Sequence, residues 1–284
     1  MSRIVYVNGE YLPEEEAKVS IFDRGFLMGD AVYEVVAVLD GKLLDYAGHE
    51  TRLARSLKEL DMPAPCTNEE LLEIHRQLVT RNDLIEGGIY LQVSRGAADR
   101  DFVWKSDMKP TIVLFTQAKN VVNAPSATTG IKVISLPDLR WHRRDIKTVQ
   151  LLYPSLGKMA AKKAGADDAW LVENDFVTEG TSNNAYIVTK DGTIVTRQLS
   201  NDILHGITRA AVLRFAREAQ MKVEERPFTI AEAQDAAEAF VTSASAFVMP
   251  VVEIDGHPVG TGKVGNIAPR IREIYLEEMR KAAV

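Results

Sequence analysis

Hydrophobic and polar positions along the chain follow two periods. Short apolar runs break at four dipeptides. Asn8-Gly9 lies between RIVYV and EYL, and Asp40-Gly41 between VYEVVAVL and KLLDY. Asp191-Gly192 lies between NAYIVTK and TIVT, and Asp255-Gly256 follows PVVEI. Asn-Gly and Asp-Gly accept the positive φ values of type I′ turns, so each predicts a hairpin. Antiparallel pairing is therefore expected in both halves, and a purely parallel, doubly wound sheet is disfavoured.

Between these runs the period lengthens to that of a helix. Leu53, Leu57 and Leu60 share one face of Glu50–Leu60. Thr67 and Glu70 read as a capping box ahead of Leu71, Leu72, Ile74 and Leu78, and Thr229 with Glu232 repeats the signal. Pro154–Ala164 is rich in alanine and lysine, and Thr208–Gln220 carries Ala211, Val212, Phe215, Ala216 and Ala219 at helical spacing. In Asn266–Ala283, Ile267, Ile271, Ile274, Tyr275 and Met279 line one face, with Pro269 suited to the first turn. The segment 118–130 (AKNVVNAPSATTG) is small, polar and proline-containing. It predicts a linker at 119–130 between an N-terminal α/β domain, α+β in character, at 1–118 and a C-terminal domain at 131–284.

Composition narrows the class. The 284 residues are 46% hydrophobic and 26% charged, enough apolar material for a sizeable core. A net charge of −6 disfavours a nucleic-acid partner held by phosphate contacts. The single cysteine, Cys66, has no partner for an intramolecular disulfide and fits a reducing compartment. The first residues hold no apolar signal core, and no apolar run approaches the roughly 20 residues that cross a bilayer. A soluble, cytoplasmic α/β-type protein is expected.

Several chemistries are missing. There is no G-x-x-x-x-G-K-[ST], H-E-x-x-H or G-x-S-x-G, and the histidines at 49, 75, 142, 205 and 257 are scattered, so no metal site is expected. GTGKVG (260–265) matches G-x-G-x-x-G formally, but 19 residues follow it, too few for a dinucleotide unit. It reads as a turn into the last helix. Three stretches say more. In DLRWHRRDIKT (138–148), Lys147 follows Arg140, His142, Arg143 and Arg144. Nearby positive charge and desolvation favour a neutral amine, which forms a Schiff base with an aldehyde cofactor and shuttles a proton. In FVTEGTSNNAYIV (176–188), Glu179 is placed to pair with a protonated pyridine nitrogen. In LHGITRAAVLRF (204–215), Gly206 precedes a helix whose first N–H groups, of Ile207 and Thr208, suit a phosphate. Taken singly these also read as a basic surface strand, a hairpin turn and an ordinary helix start. Together they match the needs of pyridoxal 5′-phosphate (PLP).

At this point the order of DRGFLMGDAVYEVV (23–36), HETRLARS (49–56), RGAADR (95–100), RWHRRDIKT (140–148), TEGTSNNAY (178–186), HGITR (205–209) and FVTSASAFVMPV (240–251) resembles the fold-type IV PLP enzymes. These include D-amino-acid and branched-chain aminotransferases, (R)-amine transaminases and aminodeoxychorismate lyases. The resemblance spans nearly the whole chain and is greatest to the D-amino-acid aminotransferases. It implies two α/β domains with mixed, largely antiparallel sheets, and a homodimer in which the loop around Arg100 reaches the neighbouring site. It implies that Lys147 is the PLP lysine, that Glu179 holds the pyridine nitrogen, and that Arg52, Ile207 and Thr208 hold the phosphate. The phosphate-binding threonine of the family is Ala244 here, so Ser243 or Ser245 is the expected substitute. Tyr33 and Arg100 match the residues that bind the substrate carboxylate, and Phe102 replaces a histidine that assists them. The implied reaction is transamination from D-amino acids to 2-oxoglutarate or pyruvate, with side activity on (R)-primary amines. (R)-amine transamination, branched-chain L-amino-acid transamination and aminodeoxychorismate cleavage are the alternatives.

Overall fold

The computed structural model describes residues 2–284. They fall into two compact units, one made of the chain up to Asn120 with Ile146–Gln150 and Ala282–Val284, the other of Val121–Asp145 with Leu151–Lys281.

The first unit contains β1 (Ile4–Val7), β2 (Glu10–Pro13), α1 (Arg24–Met28), β3 (Ala31–Leu39), β4 (Lys42–Leu43), α2 (Tyr46–Glu59), α3 (Asn68–Arg81), β5 (Glu86–Ser94) and β6 (Thr111–Ala118). Its six strands form one antiparallel sheet in the order β2-β1-β6-β5-β3-β4. The strands are amphipathic, so one face of β3 (Val32, Val36, Val38) packs with Leu53 and Leu57 of α2 and Leu71, Ile74 and Leu78 of α3 into a core. The capping box of Thr67 and Glu70 is formed at the start of α3.

The second unit contains α4 (Ser126–Thr129), β7 (Ile131–Pro137), α5 (Leu152–Lys163), β8 (Asp168–Glu173), β9 (Phe176–Gly180), β10 (Asn184–Val188), β11 (Ile194–Thr196), α6 (Ile207–Glu218), β12 (Val223–Glu225), α7 (Ile230–Gln234), β13 (Glu238–Ser243), β14 (Phe247–Ile254), β15 (His257–Pro258) and α8 (Ile267–Ala282). Its nine-stranded sheet runs β12-β11-β10-β13-β14-β7-β8-β9, with β15 added beside β14. Parallel pairs β14–β7, β7–β8 and β11–β12 sit among antiparallel ones, as expected of a mixed sheet.

All four dipeptides join antiparallel strands. Three have positive φ at both positions: Asn8-Gly9, Asp40-Gly41 and Asp255-Gly256. Asp191 does not. There the loop is longer, with Thr189 and Thr193 bonded across it and only Gly192 left-handed.

The units do not follow the composition break. Val121–Gly130, expected as linker, belongs to the second unit, where α4 contacts β14. Ile146–Gln150, expected in the C-terminal domain, belongs to the first. The reason is backbone pairing: Tyr33 N–H donates to Lys147 O (2.9 Å), and Val149 N–H to Ala31 O (3.1 Å). The formal G-x-G-x-x-G is a turn into α8. Glu238 accepts the N–H groups of Asn266, Ile267 and Ala268, capping that helix from β13.

Candidate active site

In the first unit the lysine segment lies along the end of β3. Lys147 is half-buried, and its Nζ stands 4.1 Å from the centroid of the Tyr33 ring. Tyr33 stacks on Tyr90 (5.6 Å between centroids), and Tyr90 on Phe115 (4.9 Å). Burial pushes the Tyr90 phenol up to about 12, so it stays a neutral support.

Arg52 lies on α2, one turn before Ser56, whose hydroxyl is 3.4 Å from the N–H of Lys147. Its guanidinium forks onto Glu34, Nε to Oε1 at 2.8 Å and Nη2 to Oε2 at 2.7 Å. His49 Nδ1 also meets Glu34 Oε2 at 2.7 Å. All three side chains are buried. Burial alone raises a carboxyl's affinity for its proton, but Arg52 and His49 outweigh it and hold Glu34 far below the ordinary carboxylate range. Glu34 and His49 were missed from sequence. The signal was an acid one position from Tyr33 in the apolar run VYEVV, where alternation turns it into the core.

Arg100 and Phe102 are exposed, with the Arg100 guanidinium 5.4 Å from the Phe102 ring centroid. Trp104 lies against Arg95 at 3.9 Å, and Arg24 and Arg95 both pair with Asp30 at 2.8 Å.

In the second unit Glu179 lies near the end of β9 and is buried. One oxygen accepts from Arg140 Nη1 (2.6 Å), the other from the Asn184 side-chain amide (3.1 Å) and the Leu204 N–H (3.0 Å). Arg140 also forks onto Asp138, and desolvation, which disfavours its charge, is outweighed by the two carboxylates. The arginines before Lys147 therefore do not act as a block of unpaired positive charge. Arg140 pairs with Asp138 and Glu179, Arg143 with Asp145, and Arg144 with Glu173, so the run expected to surround Lys147 with positive charge is itself charge-balanced. Asp138 and Asp145 stand in the same stretch as the arginines, whereas Glu173 and Glu179 come from β8 and β9.

Asn184 links Glu179 to the start of α6. Its amide also donates to Leu204 O (3.0 Å), and a Cβ on Gly206 would come 2.1 Å from its Oδ1, so this position requires glycine. No side chain caps α6; Ile207 and Thr208 open it with main-chain N–H groups. Asn184 also pairs with Thr242 of β13, whose strand runs into the turn carrying Ser243 and Ser245, their hydroxyls 3.4 Å apart. Asn184 was missed because its role is to join segments distant in sequence.

Unit by unit, the chemistry of these groups fits PLP: a half-buried primary amine in the first, and in the second a buried carboxylate for a pyridinium and an uncapped helix start beside a serine turn for a phosphate. Among the described residues no cluster of His, Cys, Asp or Glu is arranged to hold a metal, and no helix is long and apolar enough to cross a membrane.

Residues 31–254 match the family described as Amino-transferase class IV. A D-alanine aminotransferase of Staphylococcus epidermidis is 40% identical over 281 residues, covering 99% of each chain. One of Bacillus licheniformis is 36% identical over 283 residues, covering 98% of this chain and 99% of that one. The T.th. branched-chain amino acid aminotransferase, solved with pyridoxamine 5′-phosphate, superposes with a TM-score of 0.87 at 28% identity, covering 98% of this chain and 94% of that one. That of Escherichia coli shares the fold at a TM-score of 0.91 and 23% identity, over 98% and 95% of the two chains. With a buried carboxylate, an uncapped helix start and a lysine against a tyrosine ring in a chain so matched, this protein belongs to the class IV aminotransferase family and is a PLP-dependent aminotransferase.

Proposed function

We propose that this enzyme transfers the amino group of D-amino acids to a 2-oxo acid such as 2-oxoglutarate or pyruvate. The observation that carries the reading is Lys147 Nζ against the Tyr33 ring at 4.1 Å. A proton-moving amine and a phenol suited to a substrate carboxylate are thereby held side by side. The likeness to D-alanine aminotransferases at 36–40% identity over nearly the whole chain supports the D-series over the L-series.

When bound, PLP supplies an electron sink for the substrate carbon that loses its proton. The protein's own groups do the rest. Lys147 in its neutral form takes that proton and returns it. Glu179, kept in place by Arg140, Asn184 and Leu204, accepts the pyridine N–H. Ile207 and Thr208 offer main-chain N–H groups to the phosphate, with Ser243 or Ser245 and Arg52 as further donors. Tyr33 and Arg100 bind the α-carboxylate. Phe102 stands where a third polar group would serve, which supports side activity on (R)-primary amines.

The exposed Phe102 (74%), Val103 (78%) and Trp104 (46%) support a homodimer in which this loop is covered by the second copy. A cytoplasmic location accords with the single free cysteine.

The test is a set of half-reactions of the PLP form with D-Ala, D-Glu, L-Leu and (R)-1-phenylethylamine, followed by absorbance. D-Ala and D-Glu convert the cofactor to its amine form. Conversion by L-Leu with none by D-Ala overturns the reading in favour of a branched-chain enzyme.

A further inference from the structure

We propose that Arg272 is a positioning residue for the cofactor phosphate: it clamps Phe247 in a left-handed conformation and so holds the turn 243–246 in the shape that meets the phosphate. The inference rests on the reading of that turn given above and adds the device that shapes it.

Phe247 has φ +58°. A bulky aromatic residue in this region is an outlier that persists only where its surroundings over-determine it. The turn begins with Ala246 N–H donating to Ser243 O (3.3 Å), and Phe247 then pairs with Ser243 as β14 begins. The residue closing such a turn is ordinarily Gly or Asn, which reach positive φ at little cost. Phenylalanine gives up that ease, so something else must hold the geometry.

Two residues of α8 do so. The Phe247 ring is fully buried, its centroid 5.4 Å from that of Tyr275 and 5.6 Å from the Arg272 guanidinium carbon. Arg272 Nη1 donates to the carbonyls of the residues before and after Phe247, Ala246 O at 2.7 Å and Val248 O at 2.8 Å. Arg272 Nη2 ties the same guanidinium to Val121 O and, at 3.1 Å, to Val122 O. One guanidinium nitrogen thus fixes the peptide before the strained residue and the peptide one beyond it, while the other nitrogen anchors the same group to another segment. Relaxing Phe247 to negative φ would turn one of these carbonyls away and break its bond.

The consequence falls on the turn. β13 reaches it directly after Thr242, which pairs with Asn184, the residue packed on the start of α6. Reorienting the 246–248 peptides changes where Ser243–Ala246 point while Glu179 keeps its own partners. The clamp therefore acts on the phosphate and not on the pyridine ring.

The full-length protein, freed of cofactor, is titrated with PLP and separately with pyridoxal, which lacks the phosphate. Wild type binds PLP far more tightly. Arg272→Met lowers the PLP-to-pyridoxal affinity ratio by about tenfold or more, the scale of one hydrogen bond to a charged group, and leaves pyridoxal binding in place. Arg272→Lys, which keeps charge and packing, lowers the ratio less and gives the answer if the methionine variant does not fold. An unchanged ratio in a folded variant, or equal losses for both ligands, overturns the clamp. A wild-type protein that does not discriminate PLP from pyridoxal overturns the phosphate reading itself.

Discussion

Arg140 donates to Glu179 at 2.6 Å while the rest of the same guanidinium holds Asp138. The acid assigned to the pyridine nitrogen is thus one member of a network in which Arg140 joins Glu179, 39 residues away, to Asp138, and Asp138 in turn meets Arg144 at 3.4 Å. Removing one member of a buried pair leaves an uncompensated charge, at a cost of about 3–5 kcal/mol. Arg140→Met should therefore lower the denaturation midpoint strongly. Glu179→Gln should instead leave PLP bound and slow the half-reaction. Full turnover in the glutamine variant would reduce Glu179 to a structural partner of Arg140.

Lys147→Ala should abolish borohydride-dependent labelling of the protein by PLP and lower transamination by at least the roughly 10²–10⁴-fold of a positioned proton-transfer group. Peptide mapping checks the site. A label recovered on Lys158 or Lys162 would remove Lys147 from its assigned role.

His75 sets a pH dependence. It is buried on α3 with Nδ1 against Leu71 O (2.7 Å), and burial lowers its pKa to about 4. The unfolded chain takes up this proton near pH 6.5, the folded one near 4, so the neutral ring's contribution to stability is full above pH 6.5 and is lost as the pH falls toward 4. The loss is on the order of 3 kcal/mol. Urea denaturation of wild type and His75→Phe between pH 7 and pH 4 measures it: the phenylalanine variant should have a flatter profile, and parallel profiles would count against it.

Arg100→Ala should reduce kcat/KM for D-Ala by about 10–150-fold, the value of one hydrogen bond to a charged group. Turnover of (R)-1-phenylethylamine should change little, because that substrate has no carboxylate. Matched losses on the two would show that Arg100 supports its loop instead.

Much of the fold was legible along the chain because it rests on short-range rules. The helices α2, α3, α5, α6 and α8 and the four hairpin junctions lie where period and turn residues placed them, since both signals act within a few residues. Lys147, Glu179 and the start of α6 stood out for the same reason: each sits in a motif of its own. What joins them was not legible. The chain segment of Lys147 pairs with β3 rather than with the residues that flank it, because Tyr33 and Ala31 supply its backbone partners. The arginines at 140, 143 and 144 have Asp138 and Asp145 beside them in sequence, but Glu173 and Glu179, which complete their pairing, reach them only through the packing of β8 and β9. Glu34 under Arg52, Asn184 against Leu204 and Gly206, and Arg272 across Phe247 are contacts between segments far apart in sequence. Local propensity chooses elements, whereas a buried charge or an unpaired carbonyl finds its partner only when the whole chain is packed, and that step belongs to the tertiary structure.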